Sequence, residues 1–201
     1  MEIPSKEYLR QCLNTALQKF NEFNRVEEDT FNYKISYIPT KKRNFMGIKD
    51  GLSGLAEMRK YHVKESATIH PNAMYFQKLY KADGKLMKID CYVAGQDRLD
   101  ISYTAHYEDD FRYLFPYFHF GEKSWTCMFV THYNGEKVSE EYMVRNNQIV
   151  YERYDYANAE KVNYYYINYV PDGTCPVLAE EYGYYLPDTL EYIEEQRSAT
   201  I

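Results

Sequence analysis

Near the N-terminus, apolar residues recur at three- and four-residue steps: Tyr8, Leu9, Cys12, Leu13, Ala16, Leu17, Phe20 and Phe23. In a helix of about 3.6 residues per turn this spacing draws one stripe, and it predicts an amphipathic helix over residues 5–24. Pro4 and Ser5 stand at its start. Ser5 is the expected N-cap, because its hydroxyl can accept from a first-turn N–H that has no partner in the helix. The period then changes. In NYKISYI, residues 32–38, Tyr33, Ile35 and Tyr37 alternate with polar positions, as on one face of a strand. Residues 39–72 hold no sustained period. Pro39, the Lys41-Lys42-Arg43 triplet and Gly47, Gly51 and Gly54 predict a long irregular region with a short helix near Leu55–Lys60.

From residue 73 to 170 the pattern becomes short alternating runs between turn signals. These fall at Asp83-Gly84, Gln96-Asp97, Asp109-Asp110, Gly121-Glu122, Asn134-Gly135, Asn146-Asn147, Ala157-Asn158 and Asp172-Gly173. Such regular punctuation predicts an antiparallel up-and-down meander of about eight to ten strands. That number suffices for a strongly curved or barrel-like sheet, the alternative being an open sheet with the first helix over one face. Asp188 followed by Glu191 looks like a capping box and predicts a short C-terminal helix over about 188–197. With no linker in between, residues 1–201 read as one mainly β (α+β) domain. HYNGEKVSEEY is similar to the hairpins of bacterial repeat proteins built from YxNGk units. Those repeats carry glycines throughout, whereas this chain has nine, so the similarity extends to the hairpin rhythm alone.

Composition sharpens the β reading. Of 24 tyrosines, 17 lie from Tyr103 onward, and tyrosine suits a pleated, half-buried surface with its hydroxyl near water. The net charge of −6 and the single short basic run argue against nucleic-acid binding, which calls for a basic face. They suit a basic partner protein reached by electrostatic steering. No apolar stretch is long enough for a membrane span and no secretory leader stands at the start, so a cytoplasmic location is expected. Cys12, Cys91, Cys127 and Cys175 lack any CxxC spacing and read as reduced, mostly buried thiols. No cofactor or metal is expected.

Closing each hairpin symmetrically about its turn gives an expected register. One row reads Cys127–Tyr142–Tyr151–Tyr166, flanked by Trp125–Val144–Ile149 and Phe129–Glu140–Arg153–Tyr164. Trp125, Tyr142, Tyr151, Tyr164, Tyr165 and Tyr166 are therefore the candidate ligand- or partner-binding aromatics, although cross-strand packing alone accounts for such a ladder. On the opposite face Glu141 stands against Glu152, close enough that one carboxyl should hold its proton more tightly and resemble an acid/base pair. A turn one residue longer would instead pair Glu141 with Arg153, and solvated glutamates on an exposed face are the third reading. His106 and His132 flank Tyr113 in a row that could serve acid–base chemistry. These five residues are the candidate catalytic groups.

No GxSxG, HExxH, P-loop or GxGxxG motif is present. MGIKDGLSG has the glycines of a phosphate loop without its Gly-Lys-Ser/Thr ending. The absence of catalytic signatures puts binding ahead of catalysis. The first reading is a non-enzymatic protein that engages a partner through an aromatic-rich sheet, of the bacterial immunity or antitoxin type. The second is a barrel-like binder of a small ligand, such as a sugar or an apolar molecule stacked on aromatics. The third is an enzyme with a His/Tyr/Glu site on the sheet. An exposed edge strand makes a dimer possible.

Overall fold

The structure is a computed structural model that describes residues 2–23, 34–40, 48–68, 74–92, 99–118 and 127–199. Among the described residues two helices and eleven strands follow in the order α1 (Lys6–Glu22), β1 (Lys34–Thr40), α2 (Leu52–Lys60), β2 (Met74–Tyr80), β3 (Leu86–Tyr92), β4 (Leu99–Glu108), β5 (Phe111–Phe118), β6 (Cys127–Asn134), β7 (Lys137–Arg145), β8 (Gln148–Asp155), β9 (Val162–Tyr169), β10 (Val177–Leu186) and β11 (Glu191–Ala199). All eleven strands form one antiparallel sheet whose spatial order is the chain order. The meander expected from the turn rhythm is what forms. The barrel is not: β1 and β11 lie at opposite ends of the pairing order, and among the described residues no ladder joins them. The apolar faces are covered by helices instead.

Helix α1 begins where Ser5 predicts, with the Ser5 side chain accepting from the Tyr8 N–H at 3.1 Å. Its stripe lies against Tyr113, Phe115, Met128, Val130, Tyr142, Val144, Ile149, Tyr151, Tyr165 and Ile167. Leu9 and Ala16 are completely enclosed, and burying one leucine side chain contributes roughly 2 kcal/mol. The other sheet face is covered by residues 48–51 and α2. Ile48 packs among Phe76, Ile89, Tyr103, Leu114 and Phe129, while Leu52 and Ala56 pack on Tyr154, Val162, Tyr164 and Tyr185.

The predicted C-terminal helix is a strand. Residues 187–190 turn, with Leu190 at φ 54° and its N–H bound to Leu186 O at 2.8 Å, and β11 then pairs with β10. Tyr192 decides the outcome: its ring meets those of Tyr185 and Tyr164 at 5.1 and 5.4 Å. Alternation puts that contact on the sheet, and tertiary pairing overrides the local capping pattern of Asp188 and Glu191. Gly183 lies beneath, where a Cβ would come within 2.6 Å of the Tyr192 ring.

Two expected registers also shift. The β6–β7 loop is Gly135-Glu136, closed by Asn134 opposite Lys137, and an irregularity at His132/Tyr133 moves Tyr142 opposite Val130 rather than Cys127. The β8–β9 pairing slips by one residue, so Tyr151 faces Ile167 and Tyr166 faces Glu152. A slip of one exchanges the two faces of a strand. The β7–β8 register is as expected, with Tyr142 opposite Tyr151, Glu140 opposite Arg153 and Glu141 opposite Glu152. The turn signals at Gln96-Asp97 and Gly121-Glu122 fall outside the described residues.

Candidate functional site

Strand alternation brings one polar row into the core beneath α2. Successive pairings carry it from Tyr107 on β4 through Arg112, Thr131, Glu141 and Glu152 to Tyr166 on β9. Arg112, Thr131, Glu141 and Glu152 are 2, 0, 1 and 3% exposed. Enclosed charge is costly unless matched by partners in good geometry, and the segment before α2 supplies the partners. Lys49 pairs with Glu152 Oε1, and Asp50 Oδ2 pairs with Arg112. The backbone N–H groups of Asp50 and Gly51 donate to the two Glu141 oxygens at 2.9 and 3.1 Å.

Further hydrogen bonds tie the network together. Thr131 accepts from Arg112 at 2.9 Å and donates to Glu141 at 3.1 Å. Ser53 and Tyr154 donate to Glu152 Oε2 at 2.5 and 2.7 Å, and Tyr133 donates to Asp50 at 2.9 Å. Gly51 is required by space: a Cβ there would lie 2.5 Å from the Tyr154 hydroxyl.

The facing carboxylates diverge in proton affinity. Burial, with the charges of Asp50 and Glu152, pushes Glu141 up to about 7. Burial works the same way on Glu152, but the Lys49 ammonium beside it prevails and holds that carboxyl below its ordinary value. Asp50 is likewise held low against its burial, by Arg112 and Lys78. Two carboxyls pushed apart are the electrostatic signature of an acid/base pair. Here both are buried and bound by protein donors, Glu152 at the wall of a slot that Lys49 and Ser53 also line, and the arrangement locks the 48–53 segment onto the sheet.

The five catalytic candidates divide between the faces. Glu141 and Glu152 meet beneath α2, whereas His106, Tyr113 and His132 lie on the α1 face. His106 is opposite Tyr113 as expected, but His132 is opposite Phe111, with their rings stacked at 4.2 Å. The expected His–Tyr–His row does not form. Ser139, His132 and Glu140 come together, but the hydroxyl at 3.3 Å and the carboxylate at 3.8 Å both approach the same ring nitrogen, Nδ1. A proton relay needs one on each nitrogen.

Of the aromatic candidates, Tyr142, Tyr151 and Tyr165 are buried on the α1 face and Tyr164 is buried on the other. Tyr166 is partly exposed. It lines a slot of about 450 Å3 with Tyr164, Tyr185 and Tyr192. Trp125 falls outside the described residues.

Beside the polar row opens a larger cavity of about 670 Å3. Lys78, Arg112, Tyr107, Tyr133, Leu55 and Met58 are among its lining residues. Lys78 projects from β2 and is 7% exposed, yet among the described residues no acidic group stands at ion-pair distance from it. Burial holds its ammonium below the ordinary lysine value despite the nearby charges of Asp50 and Glu65. Arg112 spends its terminal nitrogens on Asp50 and Thr131, and its buried Nε has no acceptor among the described residues.

No family model, curated protein or solved structure matches the chain. Function is therefore argued from this geometry. Among the described residues no cluster of three or more His, Cys, Asp or Glu is placed to hold a metal ion, and no helix is long and apolar enough to cross a membrane.

Lys49, Asp50, Ser53, Lys78, Arg112, Thr131 and Tyr154 are missing from the candidates read in the sequence. A partial signal exists for Arg112 and Thr131: Arg112 shares its strand face with the buried apolar Leu114, and Thr131 shares its own with Cys127 and Phe129.

Proposed function

We propose that the protein is a non-catalytic binder of a small molecule, and that its site is the cavity between β2, β5 and α2. The observation that carries this reading is Lys78, a charge-bearing side chain buried at the cavity wall with no counter-charge in contact among the described residues. A buried ionisable group in a pocket with a few polar groups and apolar walls is what small-molecule sites provide. Leu55, Met58 and Leu86 supply the apolar part and Tyr80, Tyr107 and Tyr133 the amphipathic part. Catalysis by Glu141 and Glu152 draws less support, because the oxygens of both are engaged by protein donors. A partner-protein surface draws less support too, because four of the six aromatics assigned to it are buried.

Met58 is a reporter within the lining. In methyl NMR spectra of methionine-labelled protein, members of a mixed fragment library should shift the Met58 signal and slow amide exchange in β2 and β5. A library in which no member moves Met58, or whose hits protect only strands distant from the cavity, would refute the reading.

A further inference from the structure

Resting on that reading, we propose that the ligand is a small monocarboxylate whose charged end is bound by Lys78, with the Arg112 side chain beside it. Among the described residues the Lys78 ammonium of the lining has no hydrogen-bond or ion-pair partner, whereas the Arg112 guanidinium behind it is committed to Asp50 and Thr131 and its Nε is closed off from the cavity. Unmatched donors in an enclosed site are completed by an acceptor, most strongly by a charged one.

Formal charges along the lining balance, with Lys49, Lys78, Lys85 and Arg112 against Asp50, Glu65, Asp83 and Glu136. What singles out Lys78 is its enclosure. Lys49 and Arg112 are spent on Glu152 and Asp50, Lys85 is exposed above the Tyr107 ring, and Glu65 accepts from Tyr80 at 2.9 Å. Asp50 Oδ2 already accepts from Arg112 and Tyr133, so a cationic ligand at this carboxylate would compete with a guanidinium in place. One free ammonium between Leu55, Met58 and tyrosine rings suits a single negative charge on a partly apolar body. A dianionic phosphate calls for more donors and loses more hydration on entry.

The proposal carries a proton signature. Burial weakens the hold of Lys78 on its proton, and a carboxylate beside it strengthens that hold, so binding takes up a proton and affinity falls as pH rises through the range where the free protein's Lys78 titrates.

Benzoate and benzamide have nearly the same shape and differ in charge, so the pair separates the anion from the cavity. Both, together with inorganic phosphate, would be titrated into wild-type protein and the Lys78→Met variant, with Met58 shifts and calorimetry in buffers of different ionisation enthalpy as readouts. Methionine keeps the length of the lysine stem and removes an unmatched buried charge, so the variant is expected to fold. Benzoate should bind tighter than benzamide and with proton uptake. Lys78→Met should weaken benzoate by about tenfold or more and leave benzamide within about twofold. Benzamide binding as tightly as benzoate, an unchanged benzoate affinity in the variant, or phosphate outcompeting benzoate would overturn the carboxylate assignment and leave the small-molecule reading standing. Failure of all three probes to move Met58 would overturn both.

Discussion

Replacing Glu141 with glutamine tests the electrostatics of the buried row directly. Folding moves this carboxyl from an ordinary 4.5 to about 7, through burial and the charges of Asp50 and Glu152. Each unit corresponds to ~1.36 kcal/mol, so the shift amounts to about 3 kcal/mol of stability that depends on pH. The sign follows from which state holds the proton. Between about pH 4.5 and 7 the folded chain binds a proton that the unfolded chain has released, so this contribution is complete below the unfolded value and is lost as pH rises through 7. Glutamine carries no titrating proton and imitates the neutral acid. Glu152, held low, titrates below this window and is present in both proteins.

Urea unfolding of wild type and Glu141→Gln, followed by circular dichroism at half-unit steps from pH 5 to 8.5, gives the difference in stability at each pH. That difference should move in favour of the variant by about 3 kcal/mol across the range. Curves that stay parallel to within about 0.5 kcal/mol would refute the claim that Glu141 carries an enclosed proton.

Gly51→Ala places a methyl group against the Tyr154 ring and hydroxyl and should cost about 1–3 kcal/mol by overpacking. Its urea midpoint should fall while the far-ultraviolet spectrum of the folded sheet is kept. Tyr8→Phe removes the phenol that donates to Glu140 at 2.6 Å and should cost about 1–2 kcal/mol, read by the same unfolding measurement, because Glu140 stays buried with one donor fewer. Arg112→Met leaves Asp50 without its guanidinium and should cost about 3 kcal/mol. Adding Asp50→Asn should recover part of that loss, and a double mutant as unstable as the sum of the two singles would show that the pair is not coupled.

Local periodicity was legible where one face of an element is apolar and the other is not. Helix α1 and its Ser5 cap follow directly from the stripe Leu9–Cys12–Leu13–Ala16, and the Glu141–Glu152 opposition follows from a tight turn at Asn146-Asn147. Residues 188–197 failed because a capping pattern is local while the Tyr192 contact is not. The β8–β9 slip was invisible because the loop from Tyr156 to Lys161 does not specify its own register, and one residue there decides whether Tyr165 or Tyr166 joins Tyr142 and Tyr151. The candidate site failed for a third reason. Its walls come from β2, β5, α2 and the segment around Asp50, brought together only by the order of strands in space, and a lone lysine in MYFQKLY gives no sign of being enclosed.

The meander sets the order in which these parts can assemble. Every ladder among the described residues joins consecutive strands, so from β2 onward the sheet can grow hairpin by hairpin while closing short loops, β1 alone being joined across the long connection that contains α2. The segment before α2 has no such neighbour: Asp50 reaches 62 residues ahead to Arg112, and Lys49 reaches 103 residues ahead to Glu152. Its docking must wait until β5 through β8 are paired, and it is joined to the sheet by the packing of Ile48 and a handful of ion pairs and hydrogen bonds rather than by a ladder. In native-state hydrogen exchange the cap and the sheet should therefore behave as separate cooperative units, with the amides of Asp50 and Gly51 opening at lower free energy than those of β6 and β7.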